Sequence, residues 1–378
     1  GGFFYRGDAL PELRDHYLYA CYFTKRLWAF SYIDGAIGKP FEFADATRPV
    51  VSIIEGHDRE PIITCRDGNI FTLHSRPEPP QSRPWPNLLS QTKLFTDTKA
   101  HTPANGVHPY KINAHSWMDG ATREHFIAIS KEEKLQPTGG LEAGKSFIIP
   151  EGSAIGQTLS NNGKRIETQL LYCDGTWRGY TYRWKEDESD AELIPEAGLN
   201  TEVAGQAWRF HSRSECMTCH TQRSNFAISL TVPQLANAGQ IEHWVSEQIL
   251  QNNRVLQDEV KTPTIDPYDG SQDLDARART YLHLNCAHCH RESGLGGRAG
   301  FQLLASLPLE ETGTLNTKPM VGLLGKPEAR IIAPGDPDNS ELLGRMIRLG
   351  PGHMPLIGSR QIDKKGVALI RAWIDSLK

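Results

Sequence analysis

The 378-residue sequence predicts a multidomain fold with a β-rich N-terminal half followed by α-helical segments. Three observations predict it. Short runs of alternating apolar and polar residues dominate as far as Trp184. Apolar residues take up helical spacing at 274–285 and again at 367–377. Four of the seven cysteines fall in two C-x-x-C-H motifs, both in the C-terminal half. At 38% hydrophobic and 23% charged, the chain has a globular composition. A formal charge of −4 supplies no basic field for phosphate backbones, which argues against nucleic acid as the main partner. No apolar run approaches the roughly 18 residues of a transmembrane segment. The start, Gly1-Gly2-Phe3-Phe4-Tyr5-Arg6-Gly7, lacks the charge and apolar stretch of a signal peptide, so one is expected to have been removed or to lie upstream.

In residues 1–76, strands are expected at 17–22, 27–32, 50–54, 61–65 and 69–73, joined by turns such as Asp34-Gly35 and Asp67-Gly68. Repeated short strands of this kind build the four-stranded blades of a β-propeller, whose ring must close, or else a self-contained β-meander. Residues 1–11 with 18–32, and 55–73 with Asp67-Gly68-Asn69-Ile70-Phe71-Thr72-Leu73, resemble the last blades of the soluble glucose/sorbosone dehydrogenase family. The resemblance implies a partial β-propeller, the C-terminal part of one that oxidises a sugar or related alcohol with pyrroloquinoline quinone (PQQ). Most PQQ contacts and the catalytic base would then lie in an upstream propeller region, and no catalytic residue is assigned here. The chain is accordingly expected to be the C-terminal portion of a longer dehydrogenase or a partner completing a propeller. Cys21 and Cys65, on predicted strands, are candidates for a disulfide, with Cys173 left over and expected to be buried.

Residues 77–105 read as a stiff linker from Arg76-Pro77-Glu78-Pro79-Pro80 and Arg83-Pro84-Trp85-Pro86. Beyond it, 106–212 carry period-two runs at 124–129, 145–149, 165–172 and 177–184, which predict an antiparallel β-sandwich. Its aromatic residues Trp177, Tyr180, Tyr182 and Trp184 fit a core face better than a carbohydrate-binding surface.

The motifs are Cys216-Met217-Thr218-Cys219-His220 and Cys286-Ala287-His288-Cys289-His290. Two thiols three residues apart can each add to one vinyl group of a haem, and the histidine that follows offers its imidazole to the iron. The chain's own Cys and His frequencies would give roughly 0.005 such matches by chance. A dithiol redox pair has no need of histidine at the same offset twice. A shared zinc site would span the 66 residues between Cys219 and Cys286, where zinc ribbons use about 15–20. Two covalently bound haem c groups are therefore expected, with His220 and His290 as iron ligands.

The second motif follows a predicted helix at 274–285, and an amphipathic helix closes the chain. Between them, Gly350-Pro351-Gly352-His353-Met354-Pro355 presents Met354 as sixth ligand, a soft thioether that raises the potential and closes the site, with His353 competing. Helix, motif, late Met-Pro and final helix at 274–378 resemble the class I cytochrome c domain, specifically at Cys286, Cys289, His290 and Met354. His283 and His288 are read as helix-surface or propionate neighbours, and Ser340 as the N-cap of a helix at 341–349.

The first haem segment, 213–265, is entered from a strand or loop and walled by 226–230 and a helix at 241–250. Its sixth position is open among His243, Met320, His211, a histidine of the N-terminal half, or none. From Ser116-Trp117-Met118-Asp119-Gly120-Ala121 through Arg165-Ile166-Glu167-Thr168 and Gly179-Tyr180-Thr181-Tyr182 to the C-terminus, the chain resembles a family of bacterial dihaem c-type cytochromes. The combined expectation is a fold of partial propeller, sandwich and α-helical cytochrome c-type haem domains. Its expected function is to carry electrons from a quinone-dependent sugar or alcohol dehydrogenase to an external acceptor. Alternatives are a dihaem peroxidase-like enzyme with an open first haem, or a haem-bearing carbohydrate-binding or assembly protein. Redox donor and acceptor proteins are the expected partners, an oligomer is compatible, and a periplasmic or extracellular location is expected.

Overall fold

The computed structural model describes residues 1–378 apart from 23–24, 34, 47, 74–83, 130–131, 139–145, 204, 238 and 321–323. Asp34 of the first expected turn, Lys145 at the start of an expected strand, and the Pro-rich stretch 77–83 thus lie outside the described residues. The chain divides into two compact units, Gly1–Trp85 and Pro86–Lys378.

The first unit consists of antiparallel sheets. One has five strands, Gly2–Phe4, His16–Ala20, Arg26–Ile33, Ala36–Ile37 and Phe41–Asp45; the other has three, Val50–Glu55, Pro61–Cys65 and Ile70–Thr72. Leu18, Leu27, Ala29, Val50, Ile53 and Ile63 alternate with more exposed neighbours and supply its core. Tyr5, fully buried, donates its hydroxyl to Glu60 at 2.8 Å and accepts the Leu10 N–H at 2.9 Å. Burial and the adjacent Glu60 carboxylate push its phenol up to about 12.

The second unit is organised on a six-stranded antiparallel sheet ordered Val107–Tyr110, Thr122–Ala128, Ala154–Asn161, Lys164–Cys173, Trp177–Trp184 and Ala191–Leu193. Its central hairpin turns at Asn162-Gly163, with φ of 49° and 78°, the left-handed pair that a two-residue hairpin needs. The strand Trp177–Trp184 has four successive buried residues, Gly179 to Tyr182, so this sheet is covered on both faces. Helices α1 (Arg213–Cys219), α2 (Val232–Leu235), α3 (Gln240–Ser246) and α4 (Arg254–Glu259) follow the sheet. Ile127, Leu135, Phe147, Leu230, Val232, Leu235 and Trp244 form one core with it. Helices α5 (Leu274–Cys286), α6 (Glu341–Met346) and α7 (Lys364–Ser376) enclose a second core of Ala278, Leu282, Ile332, Leu343, Ile370 and Trp373.

The expected fold is corrected. The protein is β-rich, mostly in antiparallel sheets; among the described residues only 22% is helix, four of the seven helices reach seven residues, and no helical cytochrome c domains are evident. The physical reason lies in the sequence between α5 and α7, where Gly and Pro recur and leave the six-residue α6 among irregular segments. Repeated four-stranded blades are replaced by sheets of five and three strands, and the sandwich by a single six-stranded sheet with smaller two-stranded ribbons. Among the described residues, no helix is long and apolar enough to cross a membrane.

Candidate functional site

The first motif is carried by α1. The Ser212 hydroxyl accepts the Glu215 N–H at 3.0 Å and the Glu215 carboxylate accepts the Ser212 N–H at 2.7 Å, a capping box that fixes the start of the helix. Arg209, on the preceding strand, donates to the same carboxylate at 2.7 and 3.1 Å. Cys216 then lies against the sheet at Gly179, where a Cβ would come within 2.8 Å of its Sγ, so only glycine permits this approach. His220 ends the helix, and its Nδ1 pairs with the Phe226 carbonyl oxygen. That carbonyl requires a protonated Nδ1, which leaves Nε2 with the lone pair that binds metal. Burial pushes the imidazole down to about 4, keeping it neutral.

The second motif follows α5, which starts with the Asp273 carboxylate accepting the Ala276 N–H at 3.0 Å. Cys286 ends that helix, and the next turn brings Cys289 and His290, whose N–H donates to the Cys286 carbonyl at 2.8 Å. The His290 ring stacks on Phe301 with centroids 4.7 Å apart. Its Nδ1 is buried against Gly296, with no hydrogen-bond partner among the described residues. Burial again lowers its basicity. Helix α7 supports α5 at Gly366, where any Cβ would overlap the Tyr281 ring.

Cys286, Cys289, His290 and Met354 line one cavity of about 390 Å³, within the roughly 300–1,000 Å³ of ligand pockets. Leu295, Phe301, Leu303, Ile331, Leu342 and Met346 give it an apolar wall. The Met354 N–H donates to the Arg345 carbonyl at 3.2 Å. His353 shares the cavity, with both ring nitrogens buried and without a partner among the described residues. Residues 117–119, from the sheet region, hold this arrangement in place. The Trp117 N–H donates to Asn285 Oδ1 at 2.7 Å and its indole N–H to the Gln361 carbonyl at 3.1 Å. The Asp119 carboxylate accepts the N–H groups of Arg360 and Gln361 at 2.8 and 2.9 Å. These partners are separated by 168 to 244 residues, so no local pattern could have revealed them.

The remaining candidates separate clearly. His243 is exposed on α3, and Met320, 71% exposed, borders the cavity that holds Met354 and is also lined by Cys219. His211 is half-buried beside the first motif, its imidazole pushed down to about 4 by burial. His283 Nδ1 accepts the Ala305 N–H at 3.3 Å. Ser340 precedes α6 but turns its hydroxyl to the Ala333 N–H and the Asp336 carbonyl instead of capping the helix. His288, read as a peripheral neighbour, stands in a cluster with Cys219 and Cys289, the ligating atoms of all three lying within 4.8 Å of one another.

All seven cysteines are free. The candidate pair Cys21 and Cys65 is not bridged; Cys21 follows a strand of the five-stranded sheet and Cys65 ends a strand of the other. Cys173 is half-buried rather than buried. Burial pushes the thiols of Cys216 and Cys286, the first of each pair, up to about 12, whereas the contacts with Cys219 and His288 pull the Cys289 thiol down to about 4. Tyr180, Tyr182 and Trp184 are buried and offer no carbohydrate platform. No family model, curated protein or solved structure matches the chain.

Proposed function

We propose that the protein is a dihaem c-type cytochrome that carries electrons. One haem c is attached through Cys216 and Cys219 with His220 as iron ligand; the other is attached through Cys286 and Cys289 with His290 and Met354. The observation that carries this reading is the convergence of Cys286, Cys289, His290 and Met354 on one apolar cavity, although Met354 lies 64 residues beyond His290. When bound, the porphyrin iron supplies a one-electron couple. The chain's residues do the rest. The imidazoles of His220 and His290 stay neutral, the Phe226 carbonyl orients His220, and Leu303, Ile331 and Leu342 exclude water from the second site.

The proposed donor is a quinone-dependent sugar or alcohol dehydrogenase, on the resemblance of residues 1–73, and the proposed acceptor an external redox protein. Covalent haem attachment supports a periplasmic or extracellular setting. Spectroelectrochemical titration of the purified protein tests the reading, which predicts two one-electron steps with sharp reduced-haem bands. A spectrum with no haem bands contradicts it. Carbon monoxide binding by the reduced protein would move the assignment from relay to a peroxidase-like enzyme with an open first site.

A further inference from the structure

The side chains of Cys219 and Cys289 belong to different motifs, 70 positions apart, yet their sulfur atoms lie within 4.8 Å of each other. Cys219 also lines the cavity that holds Cys286, Cys289, His290 and Met354, so the end of the first motif forms part of the wall around the second. The juxtaposition is braced. Arg291, buried and next in sequence to His290, donates from Nη1 to the Arg223 carbonyl at 2.9 Å and from Nε to the Ala287 carbonyl at 2.6 Å. The segments that follow the two motifs are therefore fixed to each other.

We infer that Cys219 and Cys289 mark the electron junction between the two haem sites: were each sulfur to carry its haem, this contact would bring the two groups side by side and give an electron its route between them. The inference rests on the dihaem reading. The bound irons would each supply a one-electron couple, and the part of Cys219 and Cys289 would be to hold the two sites together for a single-electron exchange. No bond forms or breaks and no proton is required; an external one-electron reductant supplies the electron. The alternative use of the same atoms, a metal ion held by Cys219, His288 and Cys289, would leave a four-coordinate structural site one ligand short among the described residues. It would also leave the adjoining cavity of about 390 Å³ without an occupant.

The test uses the holoprotein with its haem content measured first. With two haems per chain, the inference predicts a split, two-signed circular dichroism couplet in the Soret band and magnetic coupling between the two irons in the diferric paramagnetic resonance spectrum. Arg291→Met loosens the brace without touching an attachment residue, and should weaken both signals while haem content stays at two. Two haems with additive, uncoupled spectra would overturn the junction and leave the dihaem reading intact. A colourless chain that binds one zinc ion through Cys219, His288 and Cys289 would overturn both.

Discussion

The two C-x-x-C-H segments share their pattern of residues but are supported by different kinds of structure. The first rests on a β-sheet: Cys216 lies against the backbone at Gly179, α1 is capped by Ser212 and Glu215, and a backbone carbonyl fixes the His220 ring. The second rests on helices: α5 delivers Cys286, α7 packs against α5 through Gly366, and the His290 ring is held by stacking on Phe301 with its Nδ1 unpartnered among the described residues. The two motifs thus offer the same side chains, while the surroundings set how tightly each imidazole is oriented. A ring held by a hydrogen bond keeps its tautomer; one held by stacking depends on shape alone.

The largest effects should come from breaking each support separately. Gly366→Ala forces a Cβ into the Tyr281 ring, and Gly179→Ala forces one onto Cys216, each an overpacking of about 1–3 kcal/mol. Thermal melts should fall for both. Haem at the second motif should be depleted by the first substitution and haem at the first motif by the second, as read by mass spectrometry of haem peptides. Equal depletion of both sites by either variant would remove the distinction.

Met354→Ala should abolish the iron–sulfur absorption band at the red end of the visible spectrum and lower one of two potentials, leaving the other in place. Survival of the band would exclude Met354 as a ligand. Asp119→Ala should act on the same loop from a distance. It removes the acceptor for the Arg360 and Gln361 N–H groups at a cost of about 1–3 kcal/mol, so the band should disappear at a lower temperature than in the native protein. Asp119→Asn keeps an acceptor and tolerates the φ of 53°, and should restore part of the loss.

A pH-dependent effect away from both motifs concerns Glu167, fully buried in the sheet and pushed up by burial from its ordinary 4.5 to about 8. The folded chain retains this proton where the unfolded chain has released it. Stability is therefore greatest below about pH 4.5 for this group and declines as pH rises towards 8. Glu167→Gln should raise the melting temperature at pH 8 relative to native and change it little at pH 4. A uniform shift at both values would show that ionisation is not the cause.

These comparisons also show what the sequence made legible. The strand Trp177–Trp184 and helices α5 and α7 were readable because their apolar spacing is local. The central strand Ala154–Asn161 escaped notice because its buried residues do not alternate and include Gly156 and Thr158, although the Asn162-Gly163 turn beside it was an available signal. Helical haem domains were over-read from two helices, since the Gly- and Pro-rich stretch between them buries Leu303, Leu304 and Ile332 without regular structure. Within the candidate site, the two motifs were visible because each is a run of five neighbouring residues. The Asp119 tether and the Cys219–Cys289 contact were hidden because they join positions that only the fold brings together.

The central claim is that both motifs carry covalently attached haem. Intact mass measured after denaturation and organic extraction tests it most directly. Two porphyrin masses added to the polypeptide are predicted, and the bare polypeptide mass would contradict the claim.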